Sequence, residues 1–266
     1  LPDGPPLREA LEAFAAARSR GSARVDAAGA RLLRLARRGG PPGAGSWTHE
    51  NADAANTRCS RDALVKAPLG LLWFGGVSHE GILPRHGHGP QPQALDGRLV
   101  LEGVDLLRAI DCYDGRLLWE ARLPGVGSAY DNTRHQPGAN ATGGNFVMAP
   151  DGVYVALGRS CLRLDPATGE TLGERRIPDE AAASTSPSAV WGCLAVDGDV
   201  LVGGVAVPTP ASTASDEKFL EADDDDIPGP VVTAGGLRLP RSLASRHLFA
   251  VDRASGRLLW TVAAER

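Results

Sequence analysis

Two polar clusters contain the residue types that could perform chemistry. In the first, Arg85, His86 and His88 lie in a stretch rich in Gly and Pro. Two histidines with one residue between them share a face of a strand, and with His79 or Glu80 they could ligate Zn²⁺. The alternative is a connector whose histidine and arginine side chains hydrogen-bond to the backbone at one mouth of the fold. We expect this alternative and predict no metal site.

The second cluster, residues 130–136, contains Asp131, Arg134 and His135. Loops on a rigid scaffold often carry binding residues, and Asp131 and His135 could act as an acid–base pair if a substrate reached them. The alternative is a long structured loop that uses Asn and Gly for its turns, and we expect this alternative. The sequence therefore predicts no catalytic residue. Its candidate ligand-binding residues are Arg85, His86, His88, Asp131, Arg134 and His135.

An acidic run and four cysteines complete the groups that could act chemically. Residues 223–226 are four consecutive Asp, whereas a Ca²⁺ site needs spaced oxygen ligands that converge from a shaped loop. The run therefore predicts a solvated surface. Cys59, Cys112, Cys161 and Cys193 are widely spaced and form no C-x-x-C motif. We expect small buried side chains, and an oxidising compartment would allow a disulfide.

A phrase that occurs three times predicts the elements that position these residues. Residues 106–119 read LLRAIDCYDGRLLW, residues 160–173 read SCLRLDPATGETLG, and residues 247–260 read HLFAVDRASGRLLW. Each copy has an apolar stretch, an Asp and a Gly four residues later, and a Trp follows in the first and third copies. The Asp and Gly predict a turn between two strands, since Asp hydrogen-bonds nearby backbone and Gly accepts a positive φ.

A second turn signal precedes each copy. Asp-Gly pairs occur at residues 96–97, 151–152 and 197–198, and each predicts a further hairpin. Each repeat is therefore a four-stranded antiparallel sheet, the size of a propeller blade. Such a unit cannot bury its own faces and must stack on its neighbours.

The strand–Asp–turn–Gly–strand–Trp pattern resembles the repeat of pyrroloquinoline-quinone (PQQ)-like β-propellers. The first and third copies match at Ala109, Asp111, Gly115, Trp119, Ala250, Asp252, Gly256 and Trp260. Residues 47–74, here called the lead-in segment, resemble the first segment of such propellers at Trp47, Asp53, Asn56, Thr57, Arg58, Ser60 and Trp73. The resemblance implies that the repeat Trp packs between adjacent blades and that the lead-in segment ends in a Leu-Trp strand.

The predicted fold is all-β: a partial β-propeller of about three four-stranded antiparallel blades and a lead-in strand, with a short N-terminal helical segment. Residues 1–45 form the helical segment and a Gly/Pro linker, within which residues 30–38 favour either a helix or a strand. Residues 46–266 form the propeller, with blades at about 91–124, 146–178 and 191–264. An insertion at about 207–245 is rich in Pro, Ser, Thr and Asp, which predicts little order at its middle.

Composition and blade number limit the classes of partner that we expect for this chain. The net charge is −4 and no basic run occurs, so we expect no nucleic-acid partner. No apolar stretch approaches the ~20 residues of a membrane span, so we expect none. Closed propellers have at least four blades. We therefore expect a fragment whose further blades follow Arg266.

The resemblance implies two functions. One is a non-catalytic scaffold that binds a protein or small ligand through its mouth loops, similar to outer-membrane assembly lipoproteins of the BamB type. The other is a quinoprotein dehydrogenase, in which PQQ and Ca²⁺ occupy the central channel beside an adjacent Cys pair. This chain has no adjacent Cys pair. We therefore expect the scaffold without a cofactor, an extracytoplasmic (periplasmic) location, and a protein partner or the missing propeller blades as its partner.

Overall fold

Three four-stranded antiparallel sheets form the body of the computed structural model, which describes residues 5–19, 23–27, 33–37, 39–83, 91–127, 146–182, 189–206, 209–210, 230–232, 237–240, 245 and 247–263. The sheets follow one another along the chain and are called blades one, two and three. They confirm the predicted all-β fold of four-stranded blades.

A helix and a hairpin precede the blades. Helix α1 (Pro5–Ser19) confirms the predicted N-terminal helical segment. Strands β1 (Ala23–Ala27) and β2 (Leu33–Arg37) then pair antiparallel. Of the two alternatives for residues 30–38, the described part, residues 33–37, therefore has the strand.

In blades one and two, the four strands pair antiparallel in the same order in which they follow one another along the chain. Blade one consists of β3 (Gln93–Leu95), β4 (Arg98–Gly103), β5 (Leu106–Asp111) and β6 (Leu117–Arg122). Blade two consists of β7 (Phe146–Ala149), β8 (Gly152–Leu157), β9 (Ser160–Leu164) and β10 (Thr171–Arg176). A short helix, α2 (Asp179–Ala182), follows.

Blade three is interrupted in the chain by a small separate sheet. It begins with β11 (Val190–Asp197) and β12 (Val200–Ala206). The small sheet consists of β13 (Thr209–Pro210), β14 (Pro230–Val232) and β15 (Leu237–Pro240). The blade ends with β16 (His247–Asp252), which pairs directly with β12, and β17 (Leu258–Ala263). The middle of the predicted insertion, residues 211–229, lies outside the described residues.

The hydrophobic core lies between the blades. Along β7, Phe146 and Met148 pack against blade one, whereas Val147 and Ala149 pack against blade three. All four side chains are buried. Blade two has a neighbour on each face, and this is why β7 and most of β8 are continuous apolar runs rather than alternating ones. The first strands of the blades are β3, β7 and β11, and they are called the inner strands. Strand β7 contacts both β3 and β11.

The repeat turns form as their Asp and Gly residues predict. In blade one, Asp111 Oδ1 accepts the N–H of Tyr113, and the N–H of Gly115 donates to the carbonyl of Asp111 at 2.9 Å. Gly115 has a φ of +73°, and Gly169 and Gly256 take +75° and +77° at the equivalent positions. A side chain here would be strained, because L-residues other than Gly rarely adopt this region.

Tryptophan rings cover the first two repeat turns. Trp119 of blade one donates from Nε1 to the carbonyl of Pro166, in the blade-two turn, at 2.9 Å. Its ring lies so close to Gly169 that a Cβ atom there would sit 2.6 Å from Trp119 Cε3. Trp73 of the lead-in segment donates in the same way to the carbonyl of Cys112 at 3.0 Å and covers the blade-one turn glycine. We call this contact the turn clamp: an N–H bonded to the carbonyl after the repeat Asp, from a side chain that covers the repeat Gly.

An arginine provides the third turn clamp. Blade two has Gly173 in the register of Trp119. Arg175 lies two residues further along the same strand and therefore on the same face. Its Nη2 atom donates to the carbonyls of Arg253 and Ala254 at 2.7 and 2.8 Å, and its guanidinium covers the glycine of the blade-three turn.

Two expectations about tryptophan differ from the structure. Trp119 is 6% exposed and its predicted burial is confirmed, whereas Trp260 is 44% exposed, so its predicted burial is wrong. The three repeat turns are already covered by Trp73, Trp119 and Arg175, and the described residues contain no fourth repeat turn for Trp260. The predicted Leu-Trp strand is also wrong, since residues 71–73 belong to no strand although the ring is in place.

We predict that Trp119→Ala lowers the free energy of unfolding by about 3–5 kcal/mol, the range for large buried aromatic residues. The substitution removes a buried ring and leaves the carbonyl of Pro166 without its donor. Denaturant unfolding followed by circular dichroism measures the loss. Trp260→Ala is the matched control and should cost much less, because its ring is 44% exposed. Equal losses for the two variants would contradict the turn clamp.

We predict that Arg175→Met lowers the free energy of unfolding by about 1.5–3 kcal/mol, the range for hydrogen bonds made by a charged donor. Methionine keeps an apolar stem but removes both bonds to the blade-three turn. The neighbouring Arg176→Met is the control, because Arg176 is exposed and its ion pair with Glu174 is a surface pair that contributes little. In thermal and urea unfolding, Arg175→Met should be clearly less stable than Arg176→Met. Equal stabilities of the two variants would count against the arginine clamp.

Candidate functional site

The six candidate ligand-binding residues lie outside the described residues. They fall in two stretches, residues 84–90 with Arg85, His86 and His88, and residues 128–145 with Asp131, Arg134 and His135.

The described residues to which these two stretches lead are in contact. The first stretch leads to β3, which begins at Gln93, and the second leads to β7, which begins at Phe146. Gln93 Nε2 donates to the carbonyl of Phe146 at 2.6 Å, and both side chains are buried. The inner strands that follow the two stretches are therefore hydrogen-bonded to each other at their first residues.

His79 and Glu80, considered as further Zn²⁺ ligands, are exposed on the surface of the fold. The carbonyl oxygens of Ser78 and Glu80 accept hydrogen bonds from the guanidinium of Arg108, at 2.6 and 3.1 Å, which attaches this loop to blade one. Within the part of the chain that the structure describes, no group of three or more His, Cys, Asp or Glu side chains is placed to hold a metal ion.

Three consecutive residues of the lead-in segment join all three blades. Trp47 forms a pair of backbone hydrogen bonds with Ala94 of β3, at 2.7 and 2.8 Å. The carbonyl of Thr48 accepts the N–H of Met148 of β7 at 2.9 Å, and His49 Nε2 accepts the N–H of Val196 of β11 at 3.0 Å.

The three partner residues are the penultimate residues of their inner strands. The lead-in segment thus binds the same position of each blade. We call residues 47–49 the tether.

His49 acts in the tether as a neutral acceptor. Because Nε2 accepts the N–H of Val196, the ring proton of the neutral form is on Nδ1, which lies 2.9 Å from Thr48 Oγ1. Burial lowers the pKa of His49 below 6.5, and this effect outweighs the negative charges of Asp53 and Asp197, which raise it. Protonation of Nε2 would turn the acceptor into a donor and break the bond to blade three.

The polar residues that follow the tether fold a local loop. Asp53 accepts the hydroxyl of Thr57 at 2.7 Å and the backbone N–H groups of Ala55 and Thr57 at 3.1 Å, and these bonds lower the pKa of Asp53. Arg58 Nε donates to Asn51 Oδ1 at 3.2 Å. Asp53, Thr57 and Arg58, which are among the residues that carry the resemblance of the lead-in segment, are therefore engaged with their own loop.

The cysteine thiols are free and most are shielded. Burial raises the pKa of Cys112 to about 11 and that of Cys161 to about 12, so both thiols are neutral and weakly nucleophilic at neutral pH. Burial also raises the pKa of the partly buried Cys193. The expectation of a buried side chain is wrong for Cys59, which is exposed in the loop after the tether.

A cavity of about 430 Å³ lies between the linker, the lead-in segment and the turns of blade one. Its lining includes Asp62, Leu64, Asp96 and Tyr113. The Asp62 carboxylate accepts the backbone N–H groups of Gly45, Leu64 and Val65 at 2.7 to 2.8 Å, and these bonds lower its pKa. This carboxylate therefore organises the wall of the cavity.

Comparisons with known proteins give similarities to solved structures alone. No family model and no curated protein matches this sequence. Among solved structures, the chain is similar to a quinohemoprotein alcohol dehydrogenase from Comamonas testosteroni (TM-score 0.48, 17% identity, 83% of this chain and 27% of that one). It is also similar to a europium-containing methanol dehydrogenase, with a TM-score of 0.46 and 15% identity over 84% of this chain and 32% of that one. A third similar structure is BamB from Moraxella catarrhalis, with a TM-score of 0.29 and 16% identity over 73% of this chain and 53% of that one.

All three similar structures are PQQ-like β-propeller proteins, the class whose repeat this sequence resembles. The chain spans about a quarter to a third of the length of the two dehydrogenases and about half of BamB. The likeness concerns the fold.

Neither helix of the described residues is long and apolar enough to cross a membrane.

We predict that acidification destabilises the fold through His49. Its pKa is lower in the folded chain than the reference value of 6.5, so the unfolded chain binds a proton first. The stabilisation is present above pH 6.5 and is lost as the pH falls through the folded-state pKa, with a slope of at most about 1.4 kcal/mol per pH unit for one proton.

Urea unfolding between pH 7.5 and pH 5 measures this effect. His49→Gln keeps an acceptor for the N–H of Val196 but cannot titrate, so its stability should depend less on pH. His79→Gln, at an exposed position, is the control and should keep the original profile. An unchanged profile for His49→Gln would refute the assignment.

Proposed function

We propose that the chain is a non-catalytic β-propeller scaffold that binds a protein or a small ligand through residues 84–90 and 128–145. The observation that carries the proposal is the hydrogen bond from Gln93 Nε2 to the carbonyl of Phe146, at 2.6 Å. It holds together the two strands that follow these stretches, so each binding segment is followed by a strand that this bond fixes. The residues proposed to contact the ligand are Arg85, His86, His88, Asp131, Arg134 and His135.

The structural use of the described polar groups supports a scaffold. His49 accepts the N–H of Val196 and thereby joins blade three to the tether. The indole N–H groups of Trp73 and Trp119 donate to turn carbonyls. These contacts fix the blades relative to one another, and a rigid frame lowers the entropic cost of binding through loops.

A PQQ-dependent dehydrogenase is the alternative, and the other contacts of Trp73, Trp119 and Asp53 favour the scaffold over it. A quinone with a divalent cation needs an aromatic surface for stacking and several carboxylate or carbonyl oxygens around the ion. The rings of Trp73 and Trp119 lie against turn glycines, and both oxygens of Asp53 accept hydrogen bonds from its own loop. We therefore propose a function without a cofactor.

We also propose an extracytoplasmic, periplasmic location and a protein partner. The resemblance of the repeat to propellers of the BamB type supports both proposals. Fractionation of cells that produce the parent protein tests the location, and recovery in the cytoplasmic fraction would refute it.

We predict that binding is lost when either stretch is neutralised. Two triple variants, Arg85→Ala/His86→Ala/His88→Ala and Asp131→Ala/Arg134→Ala/His135→Ala, should keep the melting temperature but lose the partner. Arg122→Ala, exposed on the outer strand of blade one, is the control. The measurement is capture of proteins from an envelope extract on immobilised wild type, control and triple variants, quantified by mass spectrometry.

A partner captured by wild type and control but by neither triple variant supports the proposal. Equal capture by all four proteins would contradict the assigned loops. A calorimetric titration with PQQ and Ca²⁺ tests the alternative, because saturable low-micromolar binding would replace the scaffold with the dehydrogenase.

A further inference from the structure

The cavity beside blade one has the size of a small-molecule site. Its volume is about 430 Å³, within the range of roughly 300–1,000 Å³ for pockets that hold small ligands. The lining residues come from the linker and its junction within residues 40–46, from the lead-in segment within residues 62–65, and from two turns of blade one, within residues 94–97 and 112–113. We call it the linker cavity.

Hydrogen bonds between the linker and the lead-in segment shape the cavity without a ligand. The N–H of Gly45 donates to the Asp62 carboxylate at 2.7 Å, and the N–H of Ala63 donates to the carbonyl of Gly43 at 2.9 Å. The two segments lie so close that a Cβ atom at Gly45 would overlap the carbonyl of Ser60. A site that is shaped beforehand loses little conformational entropy when it binds.

An aromatic ring connects the two sides of the linker cavity. The Tyr113 ring lies over the turn of blade one, where a Cβ atom at Gly97 would sit 3.0 Å from Tyr113 Cε2. The hydroxyl at the other end of the ring lies near the linker, 3.9 Å from the Cβ position of Gly40. A cation within about 6 Å of the centre of such a ring is attracted to its face.

The charged side chains of the described lining are all acidic. They are Asp62 and Asp96, and the described lining contains no Lys, Arg or His. Hydrogen bonds from the backbone lower the pKa of Asp62, so this carboxylate is ionised at neutral pH. A carboxylate has about four acceptor positions, and the described backbone N–H groups use three of them at Asp62. The charge of the lining therefore favours a cationic ligand with a hydrogen to donate.

The other lining side chains favour an organic cation over a metal ion. Leu64, Val65 and Leu95 provide apolar walls. Cys112 also lines the cavity, and burial raises the pKa of its thiol to about 11, so the thiol is neutral at neutral pH. A metal ion needs several converging ligands, and among the described residues no three His, Cys, Asp or Glu side chains are placed to hold one.

We propose that the linker cavity binds a small organic ammonium ion that carries an apolar group. The ammonium group lies against the Tyr113 ring and donates to Asp62 Oδ2, and Asp96 adds a second negative charge at the rim. The apolar group of the ligand packs against Leu64 and Val65. This site is separate from the loop residues of the proposed function, so neither proposal depends on the other.

The test titrates the full chain with three probes that share a ring and a chain but differ in charge. These probes are 4-phenylbutylamine, 4-phenylbutanol and 4-phenylbutyrate, and binding is followed by NMR at pH 7. We expect saturable binding of the amine and at least about tenfold weaker binding of the alcohol and the carboxylate, the ratio for one hydrogen bond to a charged group. No binding of the amine, or equal binding of the amine and the alcohol, overturns the proposal.

Two pairs of variants assign the binding to this cavity. Ala44→Trp fills the cavity from its exposed rim and should abolish amine binding, whereas Ala55→Trp, at an exposed alanine outside the described lining, should leave it unchanged. Tyr113→Leu should weaken amine binding several-fold, whereas Tyr113→Phe keeps the ring and should bind as the wild type does. Amine binding that survives both Ala44→Trp and Tyr113→Leu overturns the proposal, even if one of the two variants does not fold and only the other is measured.

A third variant tests the charge of the rim without changing its shape. Asp96 has a φ of +51°, a conformation that Asn also adopts readily. Asp96→Asn should therefore keep the turn and weaken amine binding several-fold, with no change for 4-phenylbutanol. An equal loss for the amine and the alcohol would contradict the role of the charge. The triple variants of residues 84–90 and 128–145 should bind the amine as the wild type does, so the two proposals are tested separately.

Discussion

The turn clamp is the interaction on which the arrangement of the blades depends. It combines a hydrogen bond to the carbonyl after the repeat Asp with contact over a glycine that has no Cβ atom. Both parts are directional, so they fix how far each blade slides and rotates against the next. Apolar packing alone would tolerate many such positions, because the hydrophobic effect has no preferred direction. The clamp therefore selects one arrangement among those that bury similar apolar area.

The clamp requires a donor and a covering group, and it does not require tryptophan. Arg175 reaches the blade-three turn from a position two residues beyond Gly173, and its planar guanidinium provides the donors and the cover. The tether acts on the inner strands, and the clamps act on the turns that lead into the outer strands at the opposite edge of the sheets. Each blade is thus held at both edges.

Rigidity of the frame connects the fold to the proposed function. A scaffold that binds through loops gains affinity when the loop ends are fixed before binding, since less conformational entropy is lost. Gln93 and Phe146 provide this fixed point, and the tether secures the same inner strands through Ala94 and Met148. The buried side chains of Gln93 and His49 maintain this frame through their hydrogen bonds.

The sequence alone determined the repeat unit, because its signals are local. Asp and Gly four residues apart specify a turn through one side-chain bond and one positive φ, so the four-stranded blades could be predicted. The tether and the arginine clamp could not be predicted in this way. His49 contacts Val196, 147 residues away, and Arg175 contacts Arg253, 78 residues away. The His within residues 47–53 was a visible signal, but its partner was not. Trp119 and Trp260 both follow Gly-Arg-Leu-Leu, and within the described residues a turn glycine lies against the first ring and none lies against the second. Tertiary structure decides such cases because burial is a property of what lies opposite a residue, which its own neighbours in sequence do not encode.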